Sequence, residues 1–105
     1  FTTMFIFNIT VNIQEDIQEA WVDWVKHIYM PRMLSLDTFS KAVMTRVLVE
    51  EEMGGYTYSI QYTVPNKTKL ESFRAKNKNP LGETPMLFKD KFVYFTTELH
   101  IIDEQ

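Results

Sequence analysis

The sequence predicts an α+β domain in which two helices cover one face of a four-stranded antiparallel sheet. Three observations carry this prediction. Apolar residues alternate strictly near both ends of the chain, the pair Gly54-Gly55 lies between two β-rich segments, and two helical patterns separate the strands. Because 105 residues suffice for one hydrophobic core, we assign residues 1–105 to a single domain.

Residues 4–13 form the first predicted strand because apolar side chains occupy every second position. The face expected in the core consists of Phe5, Phe7, Ile9, Val11 and Ile13. Residues 14 to about 30 are predicted to be helical. Their expected core stripe consists of Ile17, Ala20, Trp21, Trp24 and Ile28. Pro31 is expected to end or kink this helix.

The next two strands flank Gly54-Gly55, which supplies the positive φ angles of a two-residue turn. The apolar pattern predicts the register in which Met53 opposes Tyr56. The apolar, helix-facing pairs are then Val49–Ile60 and Val47–Tyr62, and the pairs on the opposite face are Arg46–Thr63, Leu48–Gln61 and Glu50–Ser59.

The remaining chain predicts a second helix and a fourth strand. Thr68 and Glu71 match a capping box at the start of a helix that reaches about residue 77. A short helical turn is expected at residues 86–88, and residues 91–102 form the last strand. We place Phe95 and Leu99 of this strand in the core. The other strand face consists of Phe92, Tyr94, Thr96, Glu98, His100 and Ile102.

The order β-α-β-β-α-β is that of the ferredoxin-like, split-βαβ motif. On this assignment the sheet face opposite the helices is mixed. It combines Ile6, Met44, Leu48, Phe92 and Tyr94 with Asn8, Arg46, Glu50, Gln61, Thr96, Glu98 and His100. Such a face is too apolar to be fully solvated and too polar to be a core. We therefore predict that a second copy of the sheet covers it, giving a homodimer with a polar-lined interior, that is, a dimeric α/β barrel.

Composition excludes several classes of function. The net charge of −3 and the pI of about 5.3 disfavour general binding to nucleic acid or to an anionic membrane. The absence of cysteine removes disulfides and thiolate chemistry, and two distant histidines make a metal site improbable. We expect no cofactor. No apolar run approaches the roughly 20 residues of a membrane span, and no signal peptide is evident, so we expect a cytoplasmic protein.

Five stretches resemble an uncharacterised bacterial domain-of-unknown-function family of the dimeric α/β-barrel superfamily. They are residues 7–12 (FNITVN), 21–24 (WVDW), 46–55 (RVLVEEEMGG), 58–62 (YSIQY) and 97–99 (TEL). The resemblance spans nearly the whole chain and implies the barrel and a homodimer, but no activity. Better-known superfamily members include cofactor-free monooxygenases, haem-degrading oxygenases and muconolactone-type isomerases, whose catalytic residues have no matching motif here.

Candidate site residues come from the mixed face. The candidate ligand-binding residues are Asn8, Arg46, Ser59, Gln61 and Thr96. Arg46 would hold a carboxylate or pair with Glu98 or Glu50, whereas the others offer neutral hydrogen bonds. The candidate catalytic residues are His100 as a general base, Glu98 as its orienting carboxylate and Tyr94 as a phenol.

Three hypotheses about function stay open. The first is a homodimer that binds a small organic ligand between its sheets. The second is a cofactor-independent oxygenase or isomerase that acts on a small acid, for example an aromatic one. The third is a protein-interaction module without a ligand.

Overall fold

A computed structural model describes residues 2–48 and 54–105 of the chain. The strands are β1 (Phe5–Ile13), β2 (Lys41–Arg46), β3 (Tyr56–Val64) and β4 (Phe92–His100). The helices are α1 (Gln18–Trp24), α2 (Met30–Leu34) and α3 (Lys67–Lys76). Short helical turns are Glu15–Ile17 (3₁₀), Val25–Tyr29 (π) and Met86–Phe88 (3₁₀). The predicted order β-α-β-β-α-β is confirmed, since residues 15–34 form one helical segment.

The four strands form one antiparallel sheet in the order β2-β3-β1-β4. β1 lies in the interior of the sheet, with Phe5 opposite both Val64 of β3 and His100 of β4. Its alternate residues Phe7, Ile9, Val11 and Ile13 are at most 4% exposed, so they define the face that the helices cover. We call this the helix face and the opposite one the open face.

Pro31 is predicted to end or kink the first helical segment, and the segment does not end there but continues to Leu34. The π turn Val25–Tyr29 directly precedes the helical turn that contains Pro31. A π turn adds one residue to the helix and rotates the residues that follow. Consequently Tyr29 and Met33 are buried, whereas Ile28, predicted in the core stripe, is 48% exposed.

Aromatic side chains from several elements form the core between the helices and the sheet. The Trp21 ring is fully buried and lies within 5.4 Å, centroid to centroid, of Trp24 and of Phe88, which the predicted turn at residues 86–88 contributes. Leu70 and Phe73 of α3 are buried as predicted. The α3 cap differs from the prediction. The Asn66 side chain, rather than Thr68, accepts the hydrogen bond from the Lys69 backbone N–H at 2.9 Å.

The predicted register of β2 against β3 is wrong. Tyr62 lies opposite Ala42 rather than Val47, and Ile60 lies opposite Met44. The shift is five residues, an odd number, so every β2 side chain lies on the face opposite to the predicted one. The pairing extends one residue beyond β2, where the Val47 N–H donates to Thr57 O at 2.9 Å. The predicted partners Val49, Glu50 and Met53 lie outside the described residues.

Glycine is nevertheless required where the chain enters β3, as the sequence predicts. Gly54 and Gly55 have φ angles of +78° and +79°. A Cβ atom on Gly55 would lie 2.5 Å from the backbone oxygen of Ile13, which no side chain tolerates without a shift. The glycine therefore allows the start of β3 to pass close to the end of β1.

The predicted faces of β4 are also wrong. Thr96 and Glu98 lie opposite Ile9 and Phe7, so they share the helix face with these core residues. Phe95 and Leu99, predicted in the core, are instead 61% and 41% exposed on the open face. β4 lies at the edge of the sheet and carries apolar side chains on both faces, so alternation does not show which face is buried.

Two buried tyrosines provide a test of this core. Burial raises the pKa of both phenols. Tyr29 donates a hydrogen bond to the Pro80 carbonyl at 2.9 Å, whereas the Tyr62 hydroxyl has no partner among the described residues. We expect Tyr29→Phe to lower the free energy of unfolding by about 1 kcal/mol, and Tyr62→Phe to raise it by a similar amount, because an unpaired buried hydroxyl is removed. Urea denaturation measures both, and a loss of stability in Tyr62→Phe would contradict this core.

Candidate functional site

The open face is crossed by rows of side chains that the strand register aligns. Three rows span all four strands in the order β2-β3-β1-β4. They are Lys41–Thr63–Ile6–Leu99, Val43–Gln61–Asn8–Thr97 and Thr45–Ser59–Thr10–Phe95. The fourth row contains Thr57, Asn12 and Val93, with Val47 bonded beside Thr57.

The two interior strands give this face a neutral polar centre, which we define as Asn8, Thr10, Asn12, Thr57, Ser59, Gln61 and Thr63. The Ser59 hydroxyl donates to Asn8 Oδ1 at 2.6 Å, and Asn8 Nδ2 donates to Thr10 Oγ1 at 3.0 Å. Asn8 is only 9% exposed even in a single protomer. The polar centre therefore offers fixed hydroxyl and amide groups and no charged group to a ligand.

On the open face, β4 forms an apolar border, whereas the β2 border combines Val43 with Lys41 and Thr45. Val93, Phe95 and Leu99 of β4 are 71%, 61% and 41% exposed, and Val43 of β2 is 40% exposed. Several large apolar groups exposed together on one surface are typical of an interaction site. The mixed character predicted for this face is thus present. Ile6, Asn8 and Gln61 contribute to it as predicted, whereas the edge-strand residues differ from the predicted ones.

Three of the predicted ligand-binding residues come together on the open face. Asn8 and Gln61 are directly opposed, and Ser59 bonds to Asn8. Arg46 and Thr96 lie instead on the helix face, on the two opposite edge strands. Three strand spacings, roughly 14 Å, separate these edges. Arg46 therefore does not pair with Glu98 within one sheet, and its guanidinium carbon lies 4.5 Å from the Tyr56 ring centroid.

The predicted catalytic residues share one strand face, but it is the helix face. Tyr94 donates a hydrogen bond to the Asn79 side-chain oxygen. The His100 ring stacks on Phe5 at 4.5 Å between centroids, and its Nε2 lies 2.8 Å from the Thr2 backbone oxygen. Tyr94 and His100 therefore have different partners, and neither contacts the other.

Glu98, the third candidate, is engaged by Arg74 of α3. Arg74 Nε donates to Glu98 Oε2 at 2.7 Å, and Nη2 donates to Glu98 Oε1. This bidentate hydrogen bonding raises the pKa of Arg74. A cleft of about 460 Å³ opens beside the pair, with Phe7, Pro80 and Thr96 among its walls. Sequence reasoning missed Arg74 because a contact across 24 residues leaves no local pattern.

Comparison with known proteins identifies the family of this chain. Residues 4–102 match the model of DUF4286, a domain of unknown function, so the chain belongs to that family. The predicted resemblance to an uncharacterised domain-of-unknown-function family is thereby confirmed. No protein of curated function matches the chain.

Several solved structures share the ferredoxin-like fold. A dimeric ferredoxin-like protein from an uncultured marine organism superposes with a TM-score of 0.69 at 17% identity, covering 97% of this chain and 98% of its own. A candidate antibiotic-biosynthesis monooxygenase from Bacillus cereus superposes with a TM-score of 0.66 at 12% identity. This match covers 97% of this chain and 94% of the monooxygenase chain. A candidate monooxygenase from Shewanella loihica gives 0.65 at 10% identity, covering 99% of both chains. Identities this low establish the fold alone.

The described residues lack two other features, a membrane-spanning helix and a cluster of metal-ligating side chains. None of the helices there is long and apolar enough to cross a membrane. Residues 2–48 and 54–105 also contain no group of three or more histidine, aspartate or glutamate side chains placed to hold a metal ion.

Proposed function

We propose that this protein is a cytoplasmic homodimer whose open faces pack together and bind a small organic ligand at the polar centre. The observation that carries the proposal is the pattern of the open face, in which an ordered neutral centre lies beside the exposed apolar side chains of β4. The apolar border supplies the burial that drives association, and the centre supplies directional hydrogen bonds.

The size of the open face suits a dimer. β1, β3 and β4 have nine residues each, which makes the face roughly 30 Å long and 14 Å across. A rough side-chain surface of that extent approaches the ~800 Å² per partner of a standard interface. The structural relative from the marine organism is described as dimeric. The superposition covers 98% of that relative's chain, which favours the same assembly here.

The ligand hypothesis rests on what the centre contains. A polar centre buried between two stacked sheets needs hydrogen-bond partners, because burying unpaired hydroxyl and amide groups is costly. Asn8 and Ser59 already bond to each other, but the Gln61 amide has no hydrogen bond to a described residue. A small molecule between the sheets would satisfy it. The oxygenase or isomerase hypothesis loses support, because Arg46 and His100 do not share the open face.

Replacing Phe95 with lysine tests the dimer. Phe95→Lys is expected to raise the dissociation constant of the dimer by roughly thirtyfold or more, since a buried aromatic anchor often contributes about 2 kcal/mol. Leu87→Lys is the matched control, because Leu87 has the same 61% exposure as Phe95 but lies in the turn Met86–Phe88 on the helix side. Sedimentation equilibrium measures both. An unchanged dissociation constant in Phe95→Lys would place the interface elsewhere.

Replacing Gln61 with leucine tests the ligand. In a thermal-shift screen of small neutral and acidic molecules, we expect at least one compound to raise the melting temperature of the wild type but not that of Gln61→Leu. At one hundred times its dissociation constant such a ligand stabilises by about 2.7 kcal/mol. Gln105→Leu, near the exposed C-terminus, is the control and should keep the shift. The hypothesis fails if no compound shifts the wild type and a crystal structure shows the interior filled by side chains.

A further inference from the structure

We infer that the dimer closes along β4, which packs against β4 of the second copy, and that the two sheets diverge toward β2, where the polar centre opens to solvent. This inference rests on the proposed homodimer and goes beyond it. It states which strands meet, and from which side a ligand enters.

The two edge strands of the open face differ in chemistry. We call the open-face side chains of β4, which are Val93, Phe95, Thr97 and Leu99, the β4 column. The β2 column consists of Lys41, Val43 and Thr45. Three of the four members of the β4 column are large, apolar and more than 40% exposed, whereas the β2 column has one apolar member and one ammonium group. The exposed apolar area whose burial would stabilise a dimer is therefore concentrated on β4.

Two-fold symmetry allows two simple ways of stacking these sheets face to face. If the axis runs along the strands, the β4 column lies over the partner's β2 column. Each row then faces the partner's copy of the same row, with its β4 end over the partner's β2 end. Because Leu99 shares a row with Lys41, and Phe95 with Thr45, Leu99 would then cover the partner's Lys41 and Phe95 the partner's Thr45. This arrangement buries an ammonium group beneath a leucine, which is costly.

If the axis instead runs across the strands, the β4 column lies antiparallel over the partner's β4 column. The row that contains Leu99 then faces the partner's row that contains Val93, and the row that contains Thr97 faces the partner's row that contains Phe95. Leu99 covers the partner's Val93, and Thr97 covers the partner's Phe95. The exposed apolar groups meet one another, and polar centre meets polar centre. Burial of apolar area favours this arrangement over the first.

The second axis also permits a wedge. With this axis, the two sheets can approach each other at β4 and separate at β2 while the two-fold symmetry is kept. With the axis along the strands, the two sheets stay parallel whatever their tilt, so no wedge forms. In the wedge, Lys41 and Thr45 stay hydrated at the open side. The polar centre lies on the two interior strands, between the closed and the open side, so a ligand reaches it past β2.

Single cysteines distinguish the two arrangements, because the chain has none of its own. Thr97 and Val43 lie in the same row at opposite edges, so Thr97→Cys and Val43→Cys are a matched pair. Each variant is first confirmed as a dimer by light scattering. It is then treated with a short bis-maleimide, alone and as a re-equilibrated mixture of the two variants, and covalent dimers are quantified on a denaturing gel.

We expect Thr97→Cys alone to form covalent dimer roughly tenfold faster than Val43→Cys alone, because the closed side keeps the two thiols at high effective concentration. Mixing the variants should add no new product. Rapid cross-linking only in the mixture would show that β4 packs on β2, which overturns this inference but leaves the proposed dimer in place. Dimers that cross-link in neither experiment, or protein that is monomeric, would overturn the inference together with the proposed interface.

Discussion

The structure depends on the alternation of side chains along β1. This strand lies between β3 and β4, so its pairing fixes which face each neighbour presents. Its apolar residues are almost completely buried against the helices, and Asn8, Thr10 and Asn12 point to the open face. Because directly opposed residues share a face, the burial of Phe7 and Ile9 places Glu98 and Thr96 on the helix face.

Interior strands proved predictable from the sequence, and edge strands did not. The faces of β1 and β3 are as predicted, because each has one apolar face and one polar face. This is why Asn8, Ser59 and Gln61 come together where they were expected. β2 and β4 carry apolar residues on both faces, so their orientation depends on register. The register of β2 differs by five residues from the one that the apolar pattern predicts.

The same reasoning explains the fate of the candidate chemistry. Arg46, Thr96, Glu98 and His100 were assigned to the mixed face from edge-strand patterns, and all four lie on the helix face. The pairing of Glu98 with Arg74 joins two elements that are distant in sequence, and only the packing of α3 on the sheet reveals it. Apart from Lys41 at the β2 edge, the described strand residues of the open face are neutral. They suit recognition by hydrogen bonding rather than the capture of an acid.

The fold does not identify a reaction for this chain. The chain shares its architecture with candidate monooxygenases at 10–12% identity, and such similarity transfers a fold rather than a reaction. The proposed function rests instead on the contrast between the polar centre and the exposed apolar side chains of β4. A second copy of the same face would cover those side chains and enclose the centre.

Light scattering coupled to size exclusion, over a range of concentrations, tests this account most directly. The account predicts a molar mass of twice the 12.5 kDa of one chain. A mass equal to that of one chain at all concentrations would contradict it, because the open face would then lie in water and the polar centre would not be enclosed.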